Sequence, residues 1–292
     1  MQIVVNMACG LANRMFQYSY YLYLSSLGYN VYVDYYTNGK LAHEDVMWSG
    51  IFPHAYIRQA PKTLVLKLGG GNNLISRIRR RFFHFTTNVY QMPTAFDVLL
   101  PHSKKDEYLM GVFQNAQMVD KIKNEIHESF TFSRFVDEHN LILENEMKAS
   151  QSVAIHVRKG ADYSSSHYNR YFKNTCPIEY YNNAVAYIKK HIDNPRFYVF
   201  TDNPSWVKEN FIGFDYILVE GNPIYGWGNH FDMQLMSCCK HNIISNSTYS
   251  WWGAFLNSNQ NKIVILPKQW FNPESCKEST SERLMCKNWL AF

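Results

Sequence analysis

Hydrophobic positions in this chain fall into short β-rich runs separated by stretches with helical spacing. Gln2 to Val5 reads as a strand, Met7 to Arg14 as a loop around Gly10, Met15 to Leu27 as a helix ended by Gly28, and Asn30 to Asp34 as a second strand. This β-loop-α-β unit starts a Rossmann-like half. Gly10 is the only glycine in its turn, so the dinucleotide fingerprint is missing. The stretch from Thr37 to Gln151 is less regular. Leu64 to Leu68 runs into Gly69-Gly70-Gly71, residues 108 to 114 read as a strand, and Ala116 to Phe130 and Asp137 to Ala149 read as helices.

From Ser152 onward the alternation is sustained. Val153 to Ile155 is a strand by its apolar run, Pro177 to Ile192 a helix by the spacing of Ile178, Tyr181, Ala184, Val185 and Ile188, and Phe197 to Thr201 a strand. Asp202 is expected to cap a helix over Pro204 to Phe211, Tyr216 to Val219 is the next strand, and Asp232 is expected to cap a helix over Met233 to His241. Asn242 to Ser245 is a strand, Asn246 to Ser250 opens a helix over Trp251 to Asn257, and Lys262 to Leu266 is a strand before Pro267. Repeated strand-helix alternation predicts a parallel sheet with right-handed crossovers.

Ligands of such sheets bind beyond the carboxyl ends of the strands. The polar residues there are His156, Arg158 and Lys159, then Thr201 and Asp202, then a glycine-rich loop Gly221 to His230 leading to Asp232, then Ser245 to Ser250. The NSTYS segment puts hydroxyls and backbone N–H groups at a helix start, a geometry that attracts anions. Each set alone is also explained by capping or by a solvated loop. Four sets on one edge, with cations from one and hydroxyls from another, argue for a nucleotide diphosphate. Asp202 reads as only a cap, whereas Asp232 can equally accept the two N–H donors of a guanine. In the first half, Asn13, Arg14 and Gln17 lie where a helix begins; they either face the ligand edge or cap that helix.

Composition narrows the class. At 292 residues the chain can form one large domain or two with separate cores. With 46% hydrophobic and 18% charged residues it is globular, and its 16% aromatic content suits stacking on sugars and bases as well as core packing. A net charge of +5 favours anionic ligands or an anionic membrane surface, and is small for nucleic-acid binding through the Arg77 to Phe85 run, so no nucleic-acid partner is expected. In that run Arg77, Arg79, Arg80 and Arg81 accompany Phe82, Phe83 and Phe85, which suits either a solvated helix face or a helix on a membrane surface. The six cysteines show neither CxxC nor Cys/His metal spacing and read as reduced thiols. MQIVVNMACG is not a signal-peptide pattern, and no run approaches the ~20 apolar residues of a membrane span. A cytoplasmic protein, soluble or peripheral at the inner membrane, is expected.

The segments MACGLANRMFQY, AIHVRKGADY, FYVFTDNPSWVKENF and FDMQLMSCCKHNIISNSTYSWWGAFLN resemble, in order and spacing, the motifs of bacterial α-1,2-fucosyltransferases (glycosyltransferase family 11). They are also similar to the wider group with an HxRRxD-type motif. The resemblance spans nearly the whole chain and is weakest in the middle of the first half. It implies an α/β, GT-B-like fold of two Rossmann-type domains, residues 1–150 on the acceptor side and 151–292 binding the GDP-sugar, with the donor cleft between them. It further implies inverting, metal-independent transfer of L-fucose from GDP-fucose to the 2-hydroxyl of a terminal galactoside. The acceptor would be an oligosaccharide or a lipid-linked glycan in bacterial polysaccharide biosynthesis.

Carried onto this chain, the resemblance makes Arg158 the pyrophosphate residue, with Lys159 beside it and His156 against the nucleoside. Asp232 would bind guanine, Ser247, Thr248 and Ser250 would contact the phosphates, and Asn13, in the loop with Gly10, would reach the cleft from the first domain. The family usually reads Arg-Arg-Gly-Asp-Tyr; this chain reads Arg158-Lys159-Gly160-Ala161-Asp162-Tyr163. The second cation is therefore a point charge without a planar fork, and the acid is displaced by one residue. Asp162 is one candidate for the base that takes the acceptor proton; a late transfer aided by Asn13 or water needs no strong base. The sequence contains no DxD motif, so cations and amide dipoles must offset the charge on departing GDP, and neither metal nor cofactor is expected. The alternatives are a fucosyltransferase of another linkage and a non-catalytic nucleotide- or glycan-binding protein on the same scaffold.

Overall fold

The computed structural model describes residues 1–35, 48–71, 74–83, 85–89, 100–101, 105–160, 166–276 and 279–292. The chain divides into two compact units, Met1–Ser133 and Arg134–Phe292. Each is built on a parallel sheet, as the alternation of strands and helices predicts for the α/β class.

In the first unit, β1 (Gln2–Asn6), β2 (Asn30–Asp34), β3 (Thr87–Val89) and β4 (Glu107–Met110) form a sheet in the order β2-β1-β4-β3. Apolar β1 lies inside this sheet, with four of its five residues buried. The helix after it runs Leu11–Ser26, beginning four residues before the expected Met15. Gly10 is its N-cap, and its carbonyl accepts the amides of Asn13 and Arg14 at 3.1 Å, which turns the expected loop into a first helical turn. Two further differences lie in this unit, beside one helix for which the sequence gives no expectation. Lys62–Lys67 is helical, β4 ends at Met110, and the expected helix over Ala116 to Phe130 is two, Ala116–Lys121 and Lys123–Ser129. Ile122 separates the two by leaving helical dihedrals (φ −122, ψ 30) while its side chain stays buried.

In the second unit, β5 (Ser152–Val157), β6 (Arg196–Thr201), β7 (Tyr216–Val219), β8 (His241–Ile243), β9 (Val264–Leu266) and β10 (Leu290–Ala291) are ordered β10-β9-β8-β5-β6-β7. The strand order reverses between β5 and β8, the switch point where open α/β sheets leave a crevice. All six residues of β5 are buried. Val153, Ile155 and Val157 pack with Tyr181, Ala184, Val185 and Ile188 of the helix Ile178–His191. The side-chain period of two therefore turns Ala154 and His156 to the opposite face. The helix Glu138–Ala149, taken with the first half in the sequence, belongs to this unit and packs on the helix Phe231–Cys238.

The helix Phe231–Cys238 also packs on the helix Thr248–Leu256. The two approach closely at Gly253, where an added Cβ would lie 2.9 Å from Met236 Cβ and 3.4 Å from Met233 O. Neither atom is the free end of a side chain. Gly253→Ala should therefore destabilise the protein by about 1–3 kcal/mol, seen as a lower urea midpoint; an unchanged midpoint would show that the helices can separate without loss. Trp251 and Trp252 are fully buried on the same helix, with Trp251 Nε1 donating to Leu284 O at 2.8 Å. The paired tryptophans of the NSTYSWW segment thus belong to the core.

Candidate functional site

The carboxyl ends of β5, β6 and β8 bring together the first group of candidate residues. His156 lies within β5, one residue before its end, and is 7% exposed. Its Nδ1 is 2.8 Å from Ser245 Oγ, just beyond β8, and its ring lies 5.9 Å from that of Tyr249. Burial and the nearby Arg158 charge push its pKa down to about 3. His156 is therefore a neutral ring at ordinary pH, able to hydrogen-bond or pack but not to supply positive charge.

Arg158 and Asp202 meet because Val157 on β5 is in register with Thr201 on β6, so the residues that follow the two strands emerge side by side. Arg158 Nη1 is 2.6 Å from Asp202 Oδ2, with a quarter of the arginine side chain exposed. Asp202 Oδ1 accepts the Lys159 amide at 2.8 Å. This corrects the expectation that Asp202 is only a helix cap. Asn203 is the N-cap of Pro204–Asn210, accepting from Trp206 N at 3.1 Å, and its Nδ2 donates to Lys159 O at 3.0 Å. Asp202 and Asn203 together fix the turn that presents Arg158.

Lys159 points elsewhere. Its Nζ donates to Cys176 O at 2.9 Å and lies 5.1 Å from the centre of the Trp206 ring. Burial pulls its pKa below the usual lysine value. The two adjacent cations are thus placed differently, Arg158 partly open to solvent and Lys159 engaged with the protein.

Asp232 lies in the first turn of Phe231–Cys238, where His230 holds the N-cap position, which corrects the expected start at Met233. Its Oδ1 accepts from Asn222 Nδ2 at 2.8 Å, and Asn222 exchanges amide hydrogen bonds with Asn140 at 2.8 and 3.0 Å. Burial raises the Asp232 pKa to about 6, offset partly by the Asn222 bond. The Tyr249 hydroxyl donates to Asn229 O at 2.7 Å and accepts from Met233 N at 2.9 Å. Tyr249 thereby joins the Asp232 helix start to the His156 ring.

The helix Thr248–Leu256 begins three residues before the expected Trp251, because Ser247, in extended conformation, is its N-cap. Trp251 N donates to Ser247 O at 3.0 Å, and the Ser247 side chain makes no capping hydrogen bond. Ser247 and Thr248 are half-buried, whereas Ser250 is fully buried with its hydroxyl donated to Ser247 O at 3.2 Å. Ser247 and Thr248 are accordingly the more accessible hydroxyls at this amide end.

In the first unit, Gly10 caps the first helix and Asn13 Oδ1 accepts from Gln114 Nε2 at 2.9 Å. Gln17 is buried, accepting from Ala8 N at 2.8 Å and donating to Gly111 O at 2.7 Å. Arg14 is buried beside Tyr35, with Nη1 3.2 Å from its hydroxyl. Gln17 therefore braces the loop after β1, where Cys9 adopts φ 72, a left-handed conformation costing a non-glycine residue about 1–2 kcal/mol. Asp162 lies outside the described residues. Among the described residues, no group of three or more His, Cys, Asp or Glu side chains could hold a metal ion.

The profile of Glycosyl transferase family 11 matches residues 82–292, which include the whole second unit. The chain belongs to glycosyl transferase family 11. It is 34% identical over 171 residues to the O-antigen biosynthesis glycosyltransferase WbnK of Escherichia coli, covering 56% of this chain and 55% of that protein. It is 33% identical over 171 residues to an alpha-1,2-colitosyltransferase of Escherichia coli, covering 56% of each. The chain thus spans about half the length of these curated relatives. Among solved structures it is similar to fucosyltransferase NodZ from Bradyrhizobium, at 12% identity and a TM-score of 0.46, covering 86% of this chain and 92% of that one.

The second unit of this family 11 member also holds residues that motif spacing did not single out: Asn222, Asn140 and Tyr249. Asn222 and Asn140 are 82 residues apart and meet only because the Glu138–Ala149 helix packs beside Asp232. No local pattern could have paired them. Tyr249 lies inside the NSTYS segment, but its hydroxyl reaches Met233 N only because the helices Phe231–Cys238 and Thr248–Leu256 pack together.

Proposed function

We propose that this glycosyltransferase is an inverting, metal-independent fucosyltransferase, moving L-fucose from GDP-fucose to the 2-hydroxyl of a terminal galactoside. The observation that carries the proposal is Arg158 held 2.6 Å from Asp202 at the carboxyl ends of β5 and β6, a cation oriented before any ligand arrives. As negative charge collects on departing GDP, Arg158 and the amide end of Thr248–Leu256 stabilise it, with Ser247 and Thr248 contacting phosphate oxygens and Ser250 behind them. His156 lies against the nucleoside, Lys159 stiffens the turn beside the diphosphate, and Asp232 accepts the guanine N–H donors. Gly10 and Asn13 of the first unit and Asp162 complete the proposed set, Asp162 as the base.

Family membership supports glycosyl transfer, and the relative named for α-1,2 transfer supports the linkage. That relative is named for colitose, which favours a second reading in which a colitosyl donor replaces the fucosyl one. A donor screen separates them. The protein is incubated with GDP-fucose, a GDP-colitose donor and several UDP- and GDP-sugars, with a galactoside acceptor and a chelator present. Consumption of GDP-fucose and an α-1,2 product by NMR is the expected result. Preference for the colitosyl donor would overturn the first reading, a requirement for added divalent metal would overturn the mechanism, and GDP binding without turnover of any donor would overturn catalysis.

A further inference from the structure

The helix Leu74–Phe82 carries its apolar side outward. Leu74, Ile75, Ile78 and Phe82 fall on one helical face and are 71%, 70%, 48% and 73% exposed, and Phe83 follows at 61%. An amphipathic helix in a globular unit ordinarily turns such a stripe toward the core. Here the other side is the attached one. Ser76 is buried, Arg80 Nη1 donates to Gly69 O at 2.8 Å and Gly71 O at 2.6 Å, and Arg79 Nη2 is 3.3 Å from Leu66 O. Helical geometry sets Arg77 and Arg81, both exposed, along one border of the stripe and Arg79 along the other. From Val46 to Phe96 there are seven Lys or Arg residues and no Asp or Glu, and of these Lys67 pairs with Asp106 at 3.2 Å.

We propose that this helix is a docking surface for an anionic lipid bilayer. Leu74, Ile75, Ile78 and Phe82 enter the boundary between headgroups and acyl chains, and Arg77 and Arg81 lie at the level of the lipid phosphates. Charge complementarity selects this occupant over a second copy of the chain, because a two-fold contact would set the same arginine borders against each other. The helix lies on the bilayer and does not span it: no helix among the described residues is long and apolar enough to cross a membrane.

The test is flotation of the full chain with vesicles of phosphatidylcholine alone or mixed with phosphatidylglycerol. The parent should float with the mixed vesicles, remain below with phosphatidylcholine alone, and bind less as salt is raised. Arg77→Gln with Arg81→Gln should weaken partitioning about thirtyfold, since each cation near an anionic surface contributes roughly fivefold. Ile75→Ser, Ile78→Ser and Phe82→Ser together should remove binding with the charge unchanged. Both variants alter exposed positions and should keep the parent's melting temperature and GDP binding. Failure of the parent to float with phosphatidylglycerol overturns the proposal, as does flotation of either variant at the parent's level. A parent that sediments as a dimer while the serine variant is a monomer also overturns it and assigns the stripe to self-association.

Discussion

Arg158→Ala should lower the transfer rate at saturating donor by about a hundredfold, the effect of removing one preorganised charge contact worth ~3 kcal/mol in the transition state. The geometry explains why so much rests on a single side chain. Arg158 is oriented by Asp202, which also takes the Lys159 amide, so its guanidinium needs no reordering when a diphosphate arrives. Its adjacent cation is directed to Cys176 O and cannot replace it without breaking that bond. Arg158→Lys keeps the charge without the planar fork and should fall between parent and alanine variant. Removing the arginine also leaves Asp202 without its ion pair, which costs stability. Arg158→Ala with Asp202→Asn should therefore regain much of the urea midpoint while staying inactive, separating a folding loss from a catalytic one. Turnover close to the parent's in the alanine variant would remove Arg158 from the mechanism.

GDP affinity should decline as pH falls below about 6, the value to which burial raises the Asp232 pKa. Above that pH the carboxylate is ionised and can accept both guanine N–H donors; below it the group is protonated and the pairing is lost. With the proposed guanine contact made by the ionised form, the affinity should fall about tenfold per pH unit below the free-protein pKa, until the lower pKa of the complex is reached. Asp232→Asn should bind GDP roughly a hundredfold more weakly at pH 8, from losing two charge-assisted hydrogen bonds, and its affinity should be nearly flat with pH. Stability moves the other way. The folded pKa lies above the unfolded one, so the folded state holds the extra proton between about pH 4 and 6, and stability is lost as pH rises through that window. The asparagine variant should be more stable than the parent above pH 6, with the difference gone below about pH 4. Calorimetric titration with GDP from pH 5 to 8 checks the first part, and urea melts the second; a pH-independent affinity in the parent would take Asp232 out of guanine recognition.

Asp232 and Arg158 can both be proposed from the sequence, for different reasons. Arg158 follows a short apolar run that reads as a strand in any context, and a cation just beyond a strand in an alternating α/β chain belongs at a ligand edge. Asp232 was visible only as one of two readings, a helix cap or a base-binding acid. The structure puts His230 at the N-cap and leaves Asp232 in the first turn with Asn222 on one oxygen. Asp202 was misread for a related reason. Asp and Asn are both good caps, and only the register of β5 with β6 decides that Asp202 faces Arg158 while Asn203 caps the helix. The exposed stripe of Leu74–Phe82 was also undecidable from spacing, since helical periodicity shows that a helix has an apolar side but not what covers it.

The chain's local chemistry by itself settled the described strands except β3 and β10, the larger helices, the parallel α/β class and the family. Apolar runs of period two and stripes of period 3.6 are properties of neighbouring residues, and motif segments are contiguous. Tertiary structure decided which polar groups meet: Arg158 with Asp202, His156 with Ser245, Asp232 with Asn222, and Asn222 with Asn140. Those pairs join residues 10 to 89 positions apart, and their orientation follows from strand order, register and helix packing. The physical reason is that hydrogen bonds and ion pairs act over about 3 Å in space, a distance that sequence separation does not encode.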